Sequence, residues 1–149
     1  MTREQIGESL HTLMHTYRRA MRTAYRRRHL PLSIPYIRAL KMIRSMPDCT
    51  ARDVGKRLRR DKGQITRVIK ELLAERLIER HPHPEDKRSQ ILMLTDKGRE
   101  TLTTVTAAEN EAAADMVQGL TAGEIEEFTR LSQVMVANLD KQKPARGKE

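Results

Sequence analysis

The sequence of 149 residues has one cysteine, one phenylalanine and no tryptophan, and only 3% of its residues are aromatic. The single cysteine, Cys49, excludes an internal disulfide framework and favours a reducing compartment. With so few aromatic side chains the core must consist of Leu, Ile, Val, Met and Ala, which suits helices better than a β-sandwich. No apolar run approaches the roughly 20 residues that span a bilayer, and the first residues lack the apolar stretch of a signal peptide. We therefore expect a cytoplasmic, mainly helical protein with no membrane partner.

Catalytic motifs are also absent from the sequence. The seven glycines are scattered, no phosphate-binding loop or nucleophile elbow is present, and no His/carboxylate pair has catalytic spacing. We therefore expect no enzymatic activity and no cofactor. His11 and His15 stand at positions i and i+4 of a predicted helix, a spacing that can hold a metal ion. Because no cysteine or carboxylate cluster completes a ligand set beside them, we predict no metal site.

Positive charge is in excess and is unevenly distributed along the chain. Residues 1–95 hold 22 Lys and Arg against 10 Asp and Glu, whereas residues 96–149 hold 7 against 10, which together give the net charge of +9. A basic N-terminal part and a mildly acidic C-terminal part of the chain indicate that one face of the molecule meets a polyanion. A merely solvated basic surface is the alternative.

Steps of three and four between apolar residues predict long helices at both ends of the chain. The first covers residues 5–28, and a second begins at Ser33 as N-cap. Towards the other end, one helix begins near Thr95, and a capping box from Thr121 to Glu124 opens the last helix. The apolar faces of the terminal helices are too large for a small middle domain to cover.

The middle of the chain predicts a helix-turn-helix unit. Thr50 and Asp53 form a capping box that opens a short helix, Arg59 and Arg60 make the turn, and Asp61 caps the next helix. Two helices joined by a turn of about three or four residues form this unit. Two short strands follow at residues 77–80 and 90–94, separated by the polar loop HPHPEDKRS.

These elements predict a mainly α fold with a small β-hairpin, a winged helix-turn-helix flanked by dimerisation helices. We assign residues 1–32 to the N-terminal dimerisation helix, 33–98 to the winged helix-turn-helix, 99–140 to the C-terminal dimerisation helices and 141–149 to a disordered tail. The exposed apolar faces are most readily buried against a second copy of the chain. The resulting homodimer suits a palindromic site on double-stranded DNA.

Four motifs at fixed spacings make the chain similar to the multiple-antibiotic-resistance regulator (MarR) family. They are DKGQITR at 61–67, LLAERLIER at 72–80, PEDKR at 84–88 and LTDKG at 94–98. The resemblance implies a homodimeric winged-helix transcription regulator, usually a repressor that a small molecule, metal or oxidant releases from DNA. One departure is Arg76, where the family usually has glycine, so this residue needs a left-handed conformation or a different cap.

On this reading the helix that begins after Asp61 enters the major groove, where base edges present a readable pattern. Gln64 can pair with adenine, Arg67 with guanine, and Thr66 can contact a thymine methyl or a phosphate. Three further residues are expected to hold phosphates, namely Lys62, Lys70 and, through the N-terminus of the preceding helix, Thr50.

In the loop between the strands, Arg88 is the residue that we expect to enter the minor groove, where narrow A·T tracts concentrate negative potential. As in proteins that the chain resembles, Asp86 is expected to orient Arg88 through a charge-assisted hydrogen bond. Lys87 and His83 are expected along the DNA backbone. Ordinary solvated side chains are the alternative for all of these residues.

The signal that controls DNA binding is left open by the sequence. The family expectation is a pocket between the dimer helices and the winged domain. Candidates for its walls, for a small anionic or aromatic effector, are Tyr17, Tyr36, Arg18, Arg19 and Arg22; core packing is the alternative for the tyrosines. Cys49 is either an oxidation sensor or a buried structural residue. Rival functions are a basic helical protein that binds nucleic acid without operator specificity or an anionic membrane surface, and a protein-interaction module.

Overall fold

The structure is a computed structural model that describes residues 2–30, 33–58 and 60–141. Within that part of the chain, six helices and one hairpin follow in this order: α1 (Arg3–Arg27), α2 (Ile34–Ser45), α3 (Ala51–Leu58), α4 (Lys62–Ala74), β1 (Ile78–Pro82), β2 (Gln90–Leu94), α5 (Asp96–Met116) and α6 (Ala122–Lys141). The predicted fold class is confirmed. Arg59 of the predicted turn and residues 142–149 of the predicted tail lie outside the described residues.

Two compact units divide the chain, residues 1–112 and residues 113–149, with the boundary inside α5. In the first unit, α4 packs against α2, α3 and β1, while α2 and α3 also contact β2. The core of this unit is aliphatic, as the composition predicts, and its largest fully buried side chains are Ile37, Leu40, Cys49, Val54, Leu72, Leu102 and Val105. From α1, Met21 and Tyr25 join that core.

The hairpin is antiparallel, with Ile78 opposite Leu94 and Pro82 opposite Gln90. Its first strand therefore begins one residue later and ends two residues later than the predicted span of 77–80. Proline is tolerated there because the end of a strand can do without one ladder donor. The Leu92 N–H donates to the Cys49 carbonyl oxygen at 2.7 Å, which ties the segment before α3 to the hairpin.

Apolar side chains of the terminal helices remain exposed within one chain. The helix α6 has no buried residue, and Phe128 and Leu139 are 55% and 65% exposed. In α1, Leu10 is 58% exposed although Met21 is buried. None of the described helices combines the length and the hydropathy that a membrane crossing requires.

Candidate nucleic-acid interface

The cap and the apolar stripe of α4 determine which of its side chains are exposed. Asp61 Oδ1 accepts a hydrogen bond from the Gln64 N–H at 2.8 Å, which confirms Asp61 as the N-cap. Ile65, Val68 and Leu72 are buried because steps of three and four place them on one side of the helix. The α4 residues predicted to contact DNA are all exposed: Lys62, Gln64, Thr66, Arg67 and Lys70.

Four of these five side chains, all except Thr66, have no hydrogen-bond or ion-pair partner among the described residues. Among the residues that the structure describes, neither the Gln64 amide nor the Arg67 guanidinium has a hydrogen-bond or ion-pair partner. The Thr66 hydroxyl, in contrast, donates to the Lys62 carbonyl oxygen at 2.8 Å. Because its hydrogen is occupied, Thr66 is better suited to a thymine methyl than to donation to phosphate.

Thr50 is engaged in helix capping, and its contact with phosphate stays a prediction. Its N–H and its hydroxyl both donate to Asp53 Oδ2, at 2.9 and 3.0 Å, and its Oγ1 accepts from the Asp53 N–H at 3.3 Å. The predicted capping box of α3 is thus confirmed. The hydrogen bond from the Thr50 N–H holds the pKa of the Asp53 carboxyl below its usual range. The resulting carboxylate would repel a phosphate that approached the same donors.

A histidine shapes the loop between β1 and β2. The Nδ1 atom of His83 accepts hydrogen bonds from the backbone N–H groups of Glu85 and Asp86, at 3.1 and 3.0 Å. The side chain of His83 therefore closes the turn, a role that its predicted position along the DNA backbone did not include. Lys87 in the same loop is exposed, as that prediction requires.

The predicted hydrogen bond between Asp86 and Arg88 is present, and it is made by the backbone of Arg88. Asp86 Oδ1 accepts from the Arg88 N–H at 3.0 Å, and Oδ2 accepts from the Ser89 hydroxyl at 2.9 Å. These two bonds hold the pKa of the Asp86 carboxyl below its usual range. In the described part of the chain, no ion pair involves the Arg88 guanidinium. Asp86 therefore orients the backbone of an exposed arginine whose charge is unpaired.

The turn between α4 and β1 explains the unusual Arg76. The Arg76 N–H donates to the Leu73 carbonyl, and the Leu77 N–H donates to the Leu72 carbonyl, both at 3.0 Å. This pair of bonds is a Schellman motif, which needs a left-handed residue after the helix. Arg76 has a φ of +56°, so the left-handed alternative in our prediction is confirmed.

Gly98 fixes the start of α5 against the same turn, and sequence reasoning assigned it no role. A Cβ atom at Gly98 would lie 2.1 Å from the Leu77 carbonyl oxygen, which only glycine allows. Beside it, Thr95 Oγ1 donates to the Arg76 carbonyl at 2.6 Å and accepts from the Gly98 N–H at 3.0 Å. The motif at residues 94–98 thus joins α4, the hairpin and α5, and it positions the hairpin beside α4.

A cavity of about 430 Å³ lies between the end of α1 and the start of α2. It is lined by Arg22, Tyr25, Arg26, Leu30, Ser33, Ile34 and Pro35. Burial, followed by the nearby Glu109 carboxylate, raises the pKa of Tyr25 to about 12, so its phenol stays neutral. Tyr25 follows Met21 by four residues in α1, and this spacing could have identified it as a residue of the inward-facing side of the helix.

Of the residues predicted to form a ligand pocket, only Arg22 lines this cavity. Its lining does not include Tyr17, Arg18, Arg19 or Tyr36. Tyr17 and Arg18 are exposed on α1. Tyr36 is partly buried at the start of α2, and its hydroxyl donates to the Glu71 carboxylate of α4. The spacing of tyrosines in the sequence does not tell whether a tyrosine lines a pocket, faces solvent or is hydrogen-bonded to another helix. A pocket is formed by side chains from several elements.

Cys49 has the environment of a structural residue. It is fully buried, and desolvation, with a smaller effect from Asp53, raises the pKa of its thiol to about 11. Since the thiolate is the reactive form, oxidation is disfavoured at neutral pH. This supports the structural alternative for Cys49 over the redox sensor.

Known sequences match part of this chain. A family model described as the MarR family matches residues 30–89. The HTH-type transcriptional regulator BilQ of Clostridium symbiosum is 42% identical over 55 residues, which are 37% of this chain and 38% of that protein. The uncharacterized HTH-type transcriptional regulator YdgJ of Bacillus subtilis is 29% identical over 72 residues, 48% of this chain and 44% of that protein. The alignments thus span less than half the length of either relative.

Solved structures match most of the chain. A mutant MarR from E. coli complexed with operator DNA has a TM-score of 0.76 at 23% identity, over 88% of this chain and 93% of that one. A MarR transcriptional regulator from Methanosarcina mazei Go1 has a TM-score of 0.79 at 19% identity, over 95% of this chain and 100% of that one. At these identities the likeness shows the fold alone.

Proposed function

We propose that this chain, whose residues 30–89 match a family model described as the MarR family, is a DNA-binding regulator of that family. Its proposed function is to bind double-stranded DNA with sequence specificity, as a homodimer on a palindromic operator, and thereby to regulate transcription, as a repressor. The observation that carries the proposal is the exposure of Gln64, Arg67 and Arg88 with no described partner for their polar groups. Polar side chains kept unpaired on one basic unit are suited to an external ligand of opposite charge.

In the proposed complex, α4 lies in the major groove. Arg67 pairs bidentately with a guanine and Gln64 with an adenine, and each such pair discriminates by about 1–3 kcal/mol. Thr66 contacts a thymine methyl, which leaves its hydroxyl bond to the Lys62 carbonyl intact. The remaining basic residues, Lys62, Lys70 and Lys87, hold phosphates and give affinity without sequence information.

The hairpin supplies the second contact, in the minor groove. Asp86 and His83 hold the loop backbone through their side chains, so that the exposed Arg88 extends from an ordered turn. An ordered turn lowers the entropic cost of binding. A guanidinium with no carboxylate partner can enter a narrow A·T minor groove at full charge.

The proposed dimer explains why apolar side chains remain exposed on the terminal helices. Singly exposed apolar residues are ordinary, whereas a continuous exposed face marks an interface. On α6 the exposed residues include Phe128, Leu131 and Met135, at steps of three and four. A second copy is the proposed partner because a two-fold pair of DNA-binding units matches a palindromic site.

The proposed effector is a small anionic or aromatic molecule that releases the protein from DNA. The cavity between α1 and α2 supports this class of ligand, because Arg22, one of the predicted wall residues, lines it together with Arg26, the Tyr25 ring and aliphatic groups. Guanidinium groups recognise carboxylates, and apolar walls bind an aromatic or aliphatic body.

The test begins with selection of duplexes from a random library, followed by affinity measurements against competitor DNA. We expect a palindromic site, bound by two chains as measured by light scattering, and steep weakening with salt. Retention of all duplexes to the same degree would favour the rival function of nonspecific binding.

Arg88→Ala tests the wing separately. We expect operator binding to weaken about tenfold or more, with the oligomeric state unchanged. Lys87→Ala should weaken all duplexes alike and reduce the salt slope by about 1. Arg80→Ala removes the same charge from the exposed surface of β1 and serves as the control. An Arg88→Ala variant that binds like Arg80→Ala would contradict the wing contact.

A further inference from the structure

A tyrosine of α2 is hydrogen-bonded to a carboxylate on the proposed DNA-reading helix. The Tyr36 hydroxyl donates to Glu71 Oε2. Tyr36 lies in the first turn of α2 and is partly buried, whereas Glu71 is exposed on α4. The two residues are 35 positions apart in the chain, so only the tertiary structure brings them together.

Glu71 is also a potential competitor for the proposed base contact. It is the single acidic residue within α4, and it follows Arg67 by four positions. Residues four apart on a helix are neighbours, and opposite charges at this spacing attract each other. Nevertheless, no Arg67–Glu71 ion pair is present among the residues that the structure describes.

The three side chains lie close enough to influence one another. The hydrogen bond to Glu71 is the main cause that raises the pKa of Tyr36, and the charge of Arg67 acts in the opposite direction. The phenol therefore stays protonated and remains a donor at neutral pH. A neutral donor can occupy the carboxylate without adding a charge of its own.

We propose that Tyr36 is a positioning residue for DNA reading, which occupies the Glu71 carboxylate and so keeps the Arg67 guanidinium available to a guanine. The proposal rests on the proposed DNA-binding function. In a chain without the Tyr36 hydroxyl, the carboxylate turns to Arg67, and the two form an intrahelical ion pair. DNA must then break that pair before Arg67 can reach a base edge.

The main test is a double-mutant cycle on operator binding. Tyr36→Phe removes only the hydroxyl, and we expect about twofold weaker operator binding, since the exposed ion pair that DNA must break before Arg67 reaches the guanine is a weak one. The loss should be confined to duplexes that carry the guanine read by Arg67. Ser45→Ala removes a hydroxyl from an exposed residue at the other end of α2 and is the control.

Glu71→Gln decides whether the hydroxyl acts through the carboxylate. Alone, this variant loses a negative charge, and we expect it to bind all duplexes somewhat more tightly. Tyr36→Phe/Glu71→Gln should bind the operator as Glu71→Gln does, because no carboxylate remains to capture Arg67. If Tyr36→Phe weakens all duplexes equally, or if Glu71→Gln does not rescue it, Tyr36 has only a structural role and the proposal is overturned.

A measurement without DNA separates this proposal from the function on which it rests. In the NMR spectrum of the free protein, the Arg67 Nε–Hε signal should shift in Tyr36→Phe and return in Tyr36→Phe/Glu71→Gln. An unchanged signal overturns the proposal even if the protein binds its operator. If instead the wild-type protein prefers no duplex, the proposed function fails, and the Arg67 signal alone tells whether Tyr36 controls the ion pair.

Discussion

The winged helix-turn-helix and the last helix differ in where their apolar side chains lie. In the first, Leu40, Val54 and Leu72 come from three helices and are fully buried in one core. In α6 no residue is buried, and Phe128 stays 55% exposed. Both regions have the same steps of three and four in their sequences. Amphipathic periodicity therefore predicts a helix, but it does not tell whether the apolar face is covered by its own chain.

The largest expected effect is on dimerisation, through the apolar side chains of α6 that one chain leaves exposed. Phe128→Glu should convert the proposed dimer to monomers, because a two-fold interface contains this ring twice and loses about 3–6 kcal/mol of dimerisation free energy. Sedimentation or light scattering measures the mass. Thr129→Glu places the same charge at the next position of α6 and should leave the dimer intact. Equal effects of the two variants would contradict an interface at Phe128.

A smaller but still severe effect is expected in the region that is covered. Gly98→Ala would bring a Cβ to 2.1 Å from the Leu77 carbonyl oxygen, and since both groups belong to the backbone, we expect a loss of about 3 kcal/mol of unfolding free energy. Urea denaturation measures it. Gly7→Ala is the matched control, because nothing lies within 4 Å of that position and alanine should stabilise α1 by about 0.5–1 kcal/mol. A Gly98→Ala protein as stable as Gly7→Ala would exclude the close approach.

The smallest effect concerns the turn that joins α4 to the hairpin. Arg76→Gly should stabilise the protein by about 0.5–1 kcal/mol, because glycine removes the steric penalty of a φ of +56° at some entropic cost. Glu75→Gly, one residue earlier at a φ of −78°, should instead destabilise by a similar amount. Opposite signs in thermal denaturation support the left-handed turn, and equal signs contradict it.

The caps of the helices could be predicted from sequence because the contacts are local. Thr50 with Asp53, Asp61 with Gln64, and Thr121 with Glu124 join residues three positions apart, and all three pairs form the expected hydrogen bonds. The exposed side of α4 followed from its apolar stripe for the same reason. These features depend on helix geometry alone.

The sequence did not show which of the predicted contact residues already use their hydrogen-bond donors within the protein. Thr50 was expected to contact phosphate, yet the capping box that was also predicted uses both of its donors. For Tyr36 the sequence suggested a ligand wall, whereas its hydroxyl is bonded to Glu71. Each donor can serve one acceptor at a time, and only the coordinates show which acceptor is near.

By itself, the sequence determined the order of the helices and the hairpin, their caps and the likeness to the MarR family, because these depend on residues within a few positions of each other. Only the tertiary structure decided that Gly98 must approach the Leu77 carbonyl, that Tyr36 reaches Glu71, and that Tyr25 of α1 and Ile34 of α2 line one cavity. The physical reason is that such contacts join residues from different elements, whose distances are set by how side chains fill a shared core.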